Sequence, residues 1–97
     1  MEHKFENQTL TIYLEGELNS FTSEEVEREI DSLLKSNSCE KIVLDLEKLR
    51  YISSAGLRII VRIKQQYDDT SLVNVSESVY DIFEMVGFQR LMKIERI

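Results

Sequence analysis

Residues 51–57, Tyr-Ile-Ser-Ser-Ala-Gly-Leu, constrain the fold more than any other stretch of the chain. A strand-like, mostly apolar run over residues 41–46 precedes them, and a segment rich in apolar residues, 57–63, follows them. This pattern predicts a buried strand that turns directly into a largely buried helix. The helix is expected to begin at Ser53 or Ser54, because serine is among the commonest residues at a helix start.

A helix that begins at this junction presents unpaired backbone N–H groups and the positive end of its dipole. A serine there is a natural cap and is also well placed to carry a phosphate. On the residues alone, both interpretations of Ser53 stay open. Gly56 falls inside the first turn, where it costs about 1 kcal/mol relative to alanine. Its presence indicates a close approach, either by the sheet or by a partner.

The chain before the junction predicts a β-hairpin. Residues 9–15 alternate between apolar and polar side chains, as in a half-buried strand. Phe5 and its neighbours would form the antiparallel partner strand, with Asn7-Gln8 at the turn. Residues 16–20 break the alternation and are expected to form a loop that leads into the first helix.

The first helix has a marked start and one apolar face. Thr22 and Glu25 fit a capping box, and Phe21 and Val26 occupy the hydrophobic staple positions around it. The apolar stripe consists of Val26, Ile30, Leu33 and Leu34.

The chain after the second helix, which ends near Tyr67, predicts another strand. Residues 68–71 read as a turn, and Leu72 to Val75 as a short strand. Because a helix connects it to the strand at residues 41–46, the two strands should be parallel.

A third helix and a final edge strand complete the pattern. Ser76 can cap this helix, whose apolar positions are Val79, Ile82, Phe83 and Val86. Gly87 fits the left-handed position after the helix, which would place Phe88 against Phe83. Residues 92–97 are a candidate edge strand.

Length and charge limit the classes of function. The chain has 97 residues, of which 42% are hydrophobic, enough for one domain spanning residues 1–97 with one core. The net charge of −6 argues against nucleic acid and anionic membranes and favours a partner with a basic surface. No segment approaches the roughly 18 apolar residues of a membrane span, and the start of the chain lacks a signal-peptide core. We therefore expect a cytoplasmic protein with no membrane insertion.

The residue types for common catalytic and metal sites are missing. His3 and Cys39 are the only histidine and cysteine, so a Ser/His/Asp set, a Cys/His pair and a zinc cluster all lack support. The chain has no glycine-rich loop of P-loop form. We expect a protein that is not an enzyme and that needs no cofactor or metal. The weakest alternative is a small hydrolase or nucleotide-binding enzyme that uses Ser54 as nucleophile or the helix start as a phosphate cradle. Turnover that depends on Ser54 would support this alternative.

The element order ββαβαβα and three short motifs now permit a comparison with known families. The motifs are Gly-Glu-Leu-Asn at 16–19, Leu-Asp-Leu at 44–46 followed by residues 51–57, and Asn-Val-Ser-Glu-Ser-Val at 74–79. In this order and spacing, the chain resembles the STAS domain, in particular the single-domain anti-sigma-factor antagonists of bacterial partner-switching modules. The resemblance implies an α/β fold with a mixed, mostly parallel sheet of four to five strands, three main helices and a short C-terminal strand.

The resemblance also implies a regulatory switch in transcription, commonly in stress responses. In this family the unphosphorylated antagonist binds an anti-sigma factor that is also a serine kinase, and so frees a sigma factor. The kinase phosphorylates the antagonist at the start of the second helix, and a PP2C-type phosphatase restores it.

The family string at this helix start is commonly Asp-Ser-Ser-Gly-Leu, with the first serine modified. Aligned on Gly56 and Leu57, the family aspartate falls on Ser53, the modified serine on Ser54 and the second serine on Ala55. Ser54 is therefore the expected phosphoacceptor. Ser53 is the alternative, since the loss of the aspartate leaves a second hydroxyl beside it.

The resemblance implies a partner-binding surface with two parts. These are Ser53, Ser54, Ala55, Gly56 and Arg58 at the helix start, and Gly16, Glu17 and Asn19 after the second strand. In the second part, glycine and asparagine could equally serve only the local backbone. A second functional interpretation also stays open: a STAS docking module of a stress complex or of lipid-transport machinery that is never phosphorylated.

Overall fold

Strands and helices alternate along the chain in the order ββαβαβαβ. The computed structural model describes residues 1–97. The strands are β1 (His3–Glu6), β2 (Thr9–Leu18), β3 (Lys41–Ile52), β4 (Thr70–Val75) and β5 (Lys93–Arg96). The helices are α1 (Ser23–Ser36), α2 (Ser54–Gln66) and α3 (Glu77–Met85), and a 3₁₀ turn (Phe88–Arg90) precedes β5. None of these helices combines the length and hydrophobicity needed to cross a bilayer.

The five strands form one sheet in which spatial order follows chain order, β1-β2-β3-β4-β5. The β1–β2 pair is antiparallel, and the other three pairs are parallel. A helix connects each parallel pair, as a parallel connection requires. The predicted mixed, mostly parallel sheet with three main helices and a C-terminal edge strand is confirmed.

The core lies on one face of the sheet. On β2 and β3 alternate side chains are buried, whereas their neighbours on the opposite face, such as Thr11 and Val43, are half-exposed. The fully buried residues include Leu10, Ile12, Ile42, Leu44 and Leu72 from the strands and Ile30, Ile60, Ile63, Val79 and Phe83 from the helices. The helices therefore cover one face of the sheet, and most of the apolar positions predicted for them pack into that layer. Val86 is the exception: it follows the last residue of α3 and is 51% exposed.

The predicted hairpin is confirmed, with Asn7 and Gln8 at its turn. Both have positive φ, 52° and 62°, which is the backbone of the two-residue turn that matches strand twist. Glu6 pairs with Thr9 and Phe5 with Leu10, so the loop has its minimum length.

Three strands, β2, β3 and β4, are longer than the sequence predicted. β2 continues through Gly16 to Leu18, because the chain keeps pairing with β3 across two register shifts. Gly16 takes φ +77° there, so the break in alternation marks a bulge and the expected loop at residues 16–20 is wrong up to Leu18. β3 likewise continues to Ile52, and β4 begins at Thr70, which pairs with Ile42.

The start of α1 differs from the predicted capping box. The Thr22 hydroxyl makes no capping hydrogen bond within the helix and donates to the carbonyl of Glu17 (2.8 Å). Phe21 is 93% exposed, so the hydrophobic staple is absent. Asn19 takes the capping role: its Oδ1 accepts from the backbone N–H groups of Phe21 (2.8 Å) and Thr22 (3.1 Å), and its carbonyl accepts from Ser23 N (2.9 Å).

The ends of α3 agree with the sequence. The Ser76 hydroxyl accepts a hydrogen bond from Val79 N (3.4 Å) and caps the helix. Gly87 follows the helix with φ +79°. The ring of Phe88 stacks on Phe83 with 5.3 Å between ring centroids. The residues that stop α3 therefore also close the core at its end.

Candidate functional site

The two segments that the sequence singled out lie side by side at the carboxyl ends of β2 and β3. Leu18 pairs with Ile52 at these strand ends, and the backbone N–H of Ser53 donates to the carbonyl of Leu18 (2.8 Å). The loop that enters α1 and the start of α2 are thereby joined into one surface. Ligand and partner sites of α/β proteins commonly lie at such an edge.

The two serines at the start of α2 occupy different environments. Ser53 is the N-cap residue, with extended backbone and a carbonyl that accepts from Leu57 N (2.9 Å). Its Oγ makes no capping hydrogen bond and is buried without a partner in the chain. Ser54 is the first residue of the helix and is exposed. Only the Ser54 hydroxyl is presented to solvent.

Gly56 is buried beneath this surface. A Cβ at this position would lie 2.7 Å from Ile52 Cγ1 and 2.8 Å from Leu18 Cγ. The sequence left open whether the sheet or a partner approaches Gly56 closely. In the structure it is the sheet, through Ile52 and Leu18. Gly56 therefore seats α2 on the ends of β2 and β3, while Ala55 and Arg58 lie nearer the surface.

The start of α2 is electrostatically open to an anion. The first turns of α1 and α3 carry acidic residues, Glu24 and Glu25 in α1 and Glu77 in α3, whereas the first turn of α2 carries none. The first N–H groups of a helix have no intrahelical acceptor, and its dipole is positive at this end. Negative charge added at Ser54 would meet a favourable field from the backbone.

A groove of about 690 Å³ begins at Ser54 and extends along α2. Its polar lining includes Ser54 and Arg58 from α2 and Glu24 and Glu27 from α1. Ser20 from the β2–α1 loop and the apolar residues Ala55, Leu57, Val61, Val86 and Phe88 also line it. The groove thus combines an apolar surface with charges of both signs.

Most of the charges in the groove are already paired. Arg62 donates from Nε to Glu27 Oε2 and from Nη2 to Asp31 Oδ1, both at 2.8 Å. The hydrogen bond to Asp31, followed by that to Glu27, raises the pKa of Arg62 above its ordinary value, although burial opposes the shift. Glu24 lies 3.7 Å from Arg28. Arg58 is exposed and forms no ion pair, so it is the one uncommitted cation of the groove.

The loop residues of the predicted site have clear backbone roles. Gly16 supplies the positive φ of the β2 bulge, and Asn19 caps the entry to α1. Glu17 is exposed, and its Oε1 accepts a hydrogen bond from Asn19 Nδ2 (3.5 Å). Glu17 is therefore the member of this group that presents its side chain most fully to solvent.

Two apolar residues beside the site were missed by the sequence analysis. Phe21 follows Ser20, a groove residue, and is 93% exposed; Val86 lines the groove and is 51% exposed. The sequence assigned Phe21 to a staple and Val86 to the buried face of α3. Taking Asn19 as the cap would have placed Phe21 in the exposed turn, and the position of Val86 directly before Gly87 signals the frayed end of a helix.

Cys39 and His3 lie away from the surface around Ser54, and neither belongs to a cluster of side chains that could hold a metal ion. Cys39 is half-buried against the core, and burial raises the pKa of its thiol while a backbone hydrogen bond opposes the shift. A thiol with a raised pKa is a poor nucleophile at neutral pH. His3 is exposed on the edge strand β1, where its Nδ1 lies 2.9 Å from the carbonyl of Met1.

Comparison with known proteins identifies the family and the fold of the chain. The model of the STAS domain family matches residues 1–96. The chain is 32% identical over 98 residues to the "Anti-sigma F factor antagonist" of Paenibacillus polymyxa, with 97% of this chain and 82% of the relative covered.

Two solved structures of the anti-sigma factor antagonist SpoIIAA share the fold. The unphosphorylated form superposes with a TM-score of 0.78 at 21% identity, covering 96% of this chain and 85% of that one. The phosphorylated form, from Bacillus, gives a TM-score of 0.69 at 20% identity, covering 96% and 88%.

Proposed function

The chain belongs to the STAS domain family, and from this premise we propose that it is an anti-sigma factor antagonist switched by phosphorylation of Ser54. Unphosphorylated, it binds an anti-sigma factor that is also a serine kinase and so frees a sigma factor. The kinase phosphorylates Ser54 and ends the interaction, and a PP2C-type phosphatase restores the binding form.

The observation that carries this proposal is the contrast between the two serines at the start of α2. The Ser54 side chain is exposed, whereas the Ser53 Oγ is buried. A kinase must bring the acceptor hydroxyl in line with the γ-phosphate of its nucleotide, which a buried hydroxyl does not permit. This contrast favours Ser54 over Ser53 as the acceptor.

The switch acts mainly on the complex rather than on the fold. A phosphate adds about −1.5 to −2 charges, and the start of α2 is suited to an anion, so the free protein should tolerate it. A partner packed over Ser54 would have to desolvate that phosphate and accommodate its bulk. A loss of about 3 kcal/mol would weaken binding more than a hundredfold.

The surface around Ser54 suits a protein partner. Val86 exposes apolar area in the groove and Phe21 exposes it next to the groove residue Ser20, and aromatic residues are common anchors at the centre of protein interfaces. The net charge of −6 favours a partner whose surface is basic.

The experiment that tests the proposal measures the intact mass of the protein isolated from its native cells under several growth and stress conditions. A phosphoryl increment that varies with condition, persists in Ser53→Ala and disappears in Ser54→Ala would support the switch and its residue. If the increment disappears only in Ser53→Ala, the phosphoacceptor is Ser53 and not Ser54. If no condition gives an increment, the phosphorylation switch is wrong and the docking-module interpretation takes its place.

A binding measurement then tests the direction of the switch. Ser54→Asp should recover much less of the anti-sigma factor from the native cell extract than Ser54→Ala, because only the aspartate places a charge on the docking surface. Ser38→Asp is the matched control, since Ser38 is an exposed serine in the loop between α1 and β3. Equal recovery of the anti-sigma factor by Ser54→Asp and Ser54→Ala would contradict the proposed mechanism.

A further inference from the structure

We propose that Arg58 is the counter-ion of a phosphate on Ser54, so that phosphorylation also withdraws the only uncommitted cation from the groove. The inference rests on the proposed modification of Ser54 and deepens it. It makes the switch a change in two surface features, a negative charge gained and a positive charge removed.

The positions of the two residues on α2 make this pairing local. Ser54 and Arg58 are four residues apart on one helix, line the same groove and are both exposed. Side chains at this spacing are neighbours on a helix surface, with Cβ atoms about 5–6 Å apart. An arginine side chain spans that distance easily, so it can reach a phosphate on Ser54 without any movement of the backbone.

The other charges facing the groove leave Arg58 available. From α1, Glu24 is near Arg28, and Glu27 is held by Arg62. The remaining groove residues from the β2–α1 loop, α2 and the α3 end are uncharged apart from Arg62 and Arg58 themselves. Because Arg62 is hydrogen-bonded to two carboxylates, it cannot turn to Ser54 without leaving both. Arg58 has no such bonds to break.

The chemistry of the pair is favourable. The guanidinium fork matches phosphate oxygens with two parallel charge-assisted hydrogen bonds, stronger than neutral ones. In the unphosphorylated protein an exposed arginine on a docking surface is free for the partner, and arginine is among the residues enriched at interface hot spots. Once paired with the phosphate, the same arginine no longer offers its donors to the partner.

The test uses the full chain with phosphoserine incorporated at position 54 during translation, so no kinase is needed. A ³¹P NMR titration gives the second pKa of the phosphate, which is ordinarily about 6. In the folded protein this pKa should lie below its value in the same protein unfolded in urea. We expect Arg58→Gln to raise it by about 0.5 unit, as the loss of an exposed ion pair would. Arg58→Lys should give an intermediate value.

The control is Arg90→Gln, which removes an exposed arginine that does not line the groove and should leave the pKa unchanged. An Arg58→Gln titration that coincides with that of the parent phosphoprotein, or that shifts no more than Arg90→Gln, overturns the inference. This failure is separate from that of the proposed function, because the phosphate is installed whether or not cells phosphorylate Ser54. Conversely, if cells never phosphorylate Ser54, the proposed function is wrong, but the result of this titration is unaffected.

Discussion

The hydroxyls of Ser53 and Ser54 belong to adjacent residues but lie in opposite environments. Ser53 Oγ is buried with no hydrogen-bond partner, while the Ser54 side chain is exposed on the first turn of α2. The arrangement follows from the short connection between β3 and α2, in which Ser53 keeps extended backbone and hydrogen-bonds to the end of β2. Ser53 thereby fixes the junction, and Ser54 is left on its surface.

Replacing Ser53 with alanine should not destabilise the fold. Its hydroxyl makes no capping bond and is buried unsatisfied, so its removal relieves a desolvation cost. Ser76→Ala is the comparison, because Ser76 caps α3 and its loss should cost about 1 kcal/mol. Urea unfolding measures both free energies. If the two substitutions cost the same, Ser53 acts as an ordinary cap.

Gly56→Ala should destabilise the protein although alanine is the better helix former. The new Cβ would meet Ile52 and Leu18 side-chain atoms at 2.7–2.9 Å, well inside van der Waals contact. Overpacking of this kind costs about 1–3 kcal/mol, and the propensity gain of about 1 kcal/mol offsets only part of it. The exposed Gln65 on the same helix provides the control: Gln65→Ala should leave the free energy of unfolding nearly unchanged. A Gly56→Ala protein more stable than the parent would contradict the close packing.

Those strands and helix ends that are determined by neighbouring residues in the chain could be predicted from the sequence. Alternation identified the core of β2, and Gly87 with Phe88 identified the end of α3, since both depend on neighbours in the chain. The lengths of β2 and β3 depend on pairing between segments distant in sequence, and that pairing carries the strand through the Gly16 bulge. The capping residue of α1 also differs from the prediction. Because β2 continues to Leu18, the entry to the helix begins at Asn19, which caps it in place of Thr22.

The candidate site divides in the same way. The start of α2 at Ser54 could be predicted because a helix start is a local feature and the sequence around it is contiguous. The groove could not, because its walls are residues of α1 and α2 that meet only in the folded chain, as Arg62 and Glu27 do across 35 positions of sequence. The exposure of Phe21 and Val86 likewise depends on how the helices end against their neighbours.

The ion pairs of Arg62 should stabilise the packing of α1 against α2. One guanidinium bridges Glu27 and Asp31 with two hydrogen bonds of 2.8 Å, and all three side chains are about one-third exposed or slightly more. We expect Arg62→Gln to lower the free energy of unfolding by about 1 kcal/mol, at the upper end for exposed pairs. This decrease in the free energy of unfolding should be smaller in about 1 M NaCl, where the Debye length is about 3 Å and the ion pairs are screened.

Arg28→Gln is the matched control for this prediction. Arg28 makes a single, longer contact with Glu24 (3.7 Å), and both side chains are mostly exposed. Its loss should change stability by less than about 0.5 kcal/mol at any salt concentration. Equal effects of the two substitutions would show that Arg62 does not join the helices.

Phe21→Ser should weaken binding of the anti-sigma factor without weakening the fold. The ring is 93% exposed, so little contact within the protein is lost, and the free energy of unfolding should stay within about 0.5 kcal/mol. If the partner covers the surface beside Ser54, the ring is buried in the complex, and its removal should lower affinity about tenfold or more. Binding is measured with the anti-sigma factor recovered with the parent protein.

Phe5→Ser provides the control for Phe21, since Phe5 is another exposed phenylalanine and lies by the opposite end of β2, where it pairs with Leu10. It should leave the affinity unchanged even if it lowers stability, because β1 lies at the sheet edge away from α2. The two variants therefore separate loss of a contact from loss of structure. Unchanged affinity in Phe21→Ser would move the docking surface away from the β2–α1 loop and leave the groove along α2 as its main part.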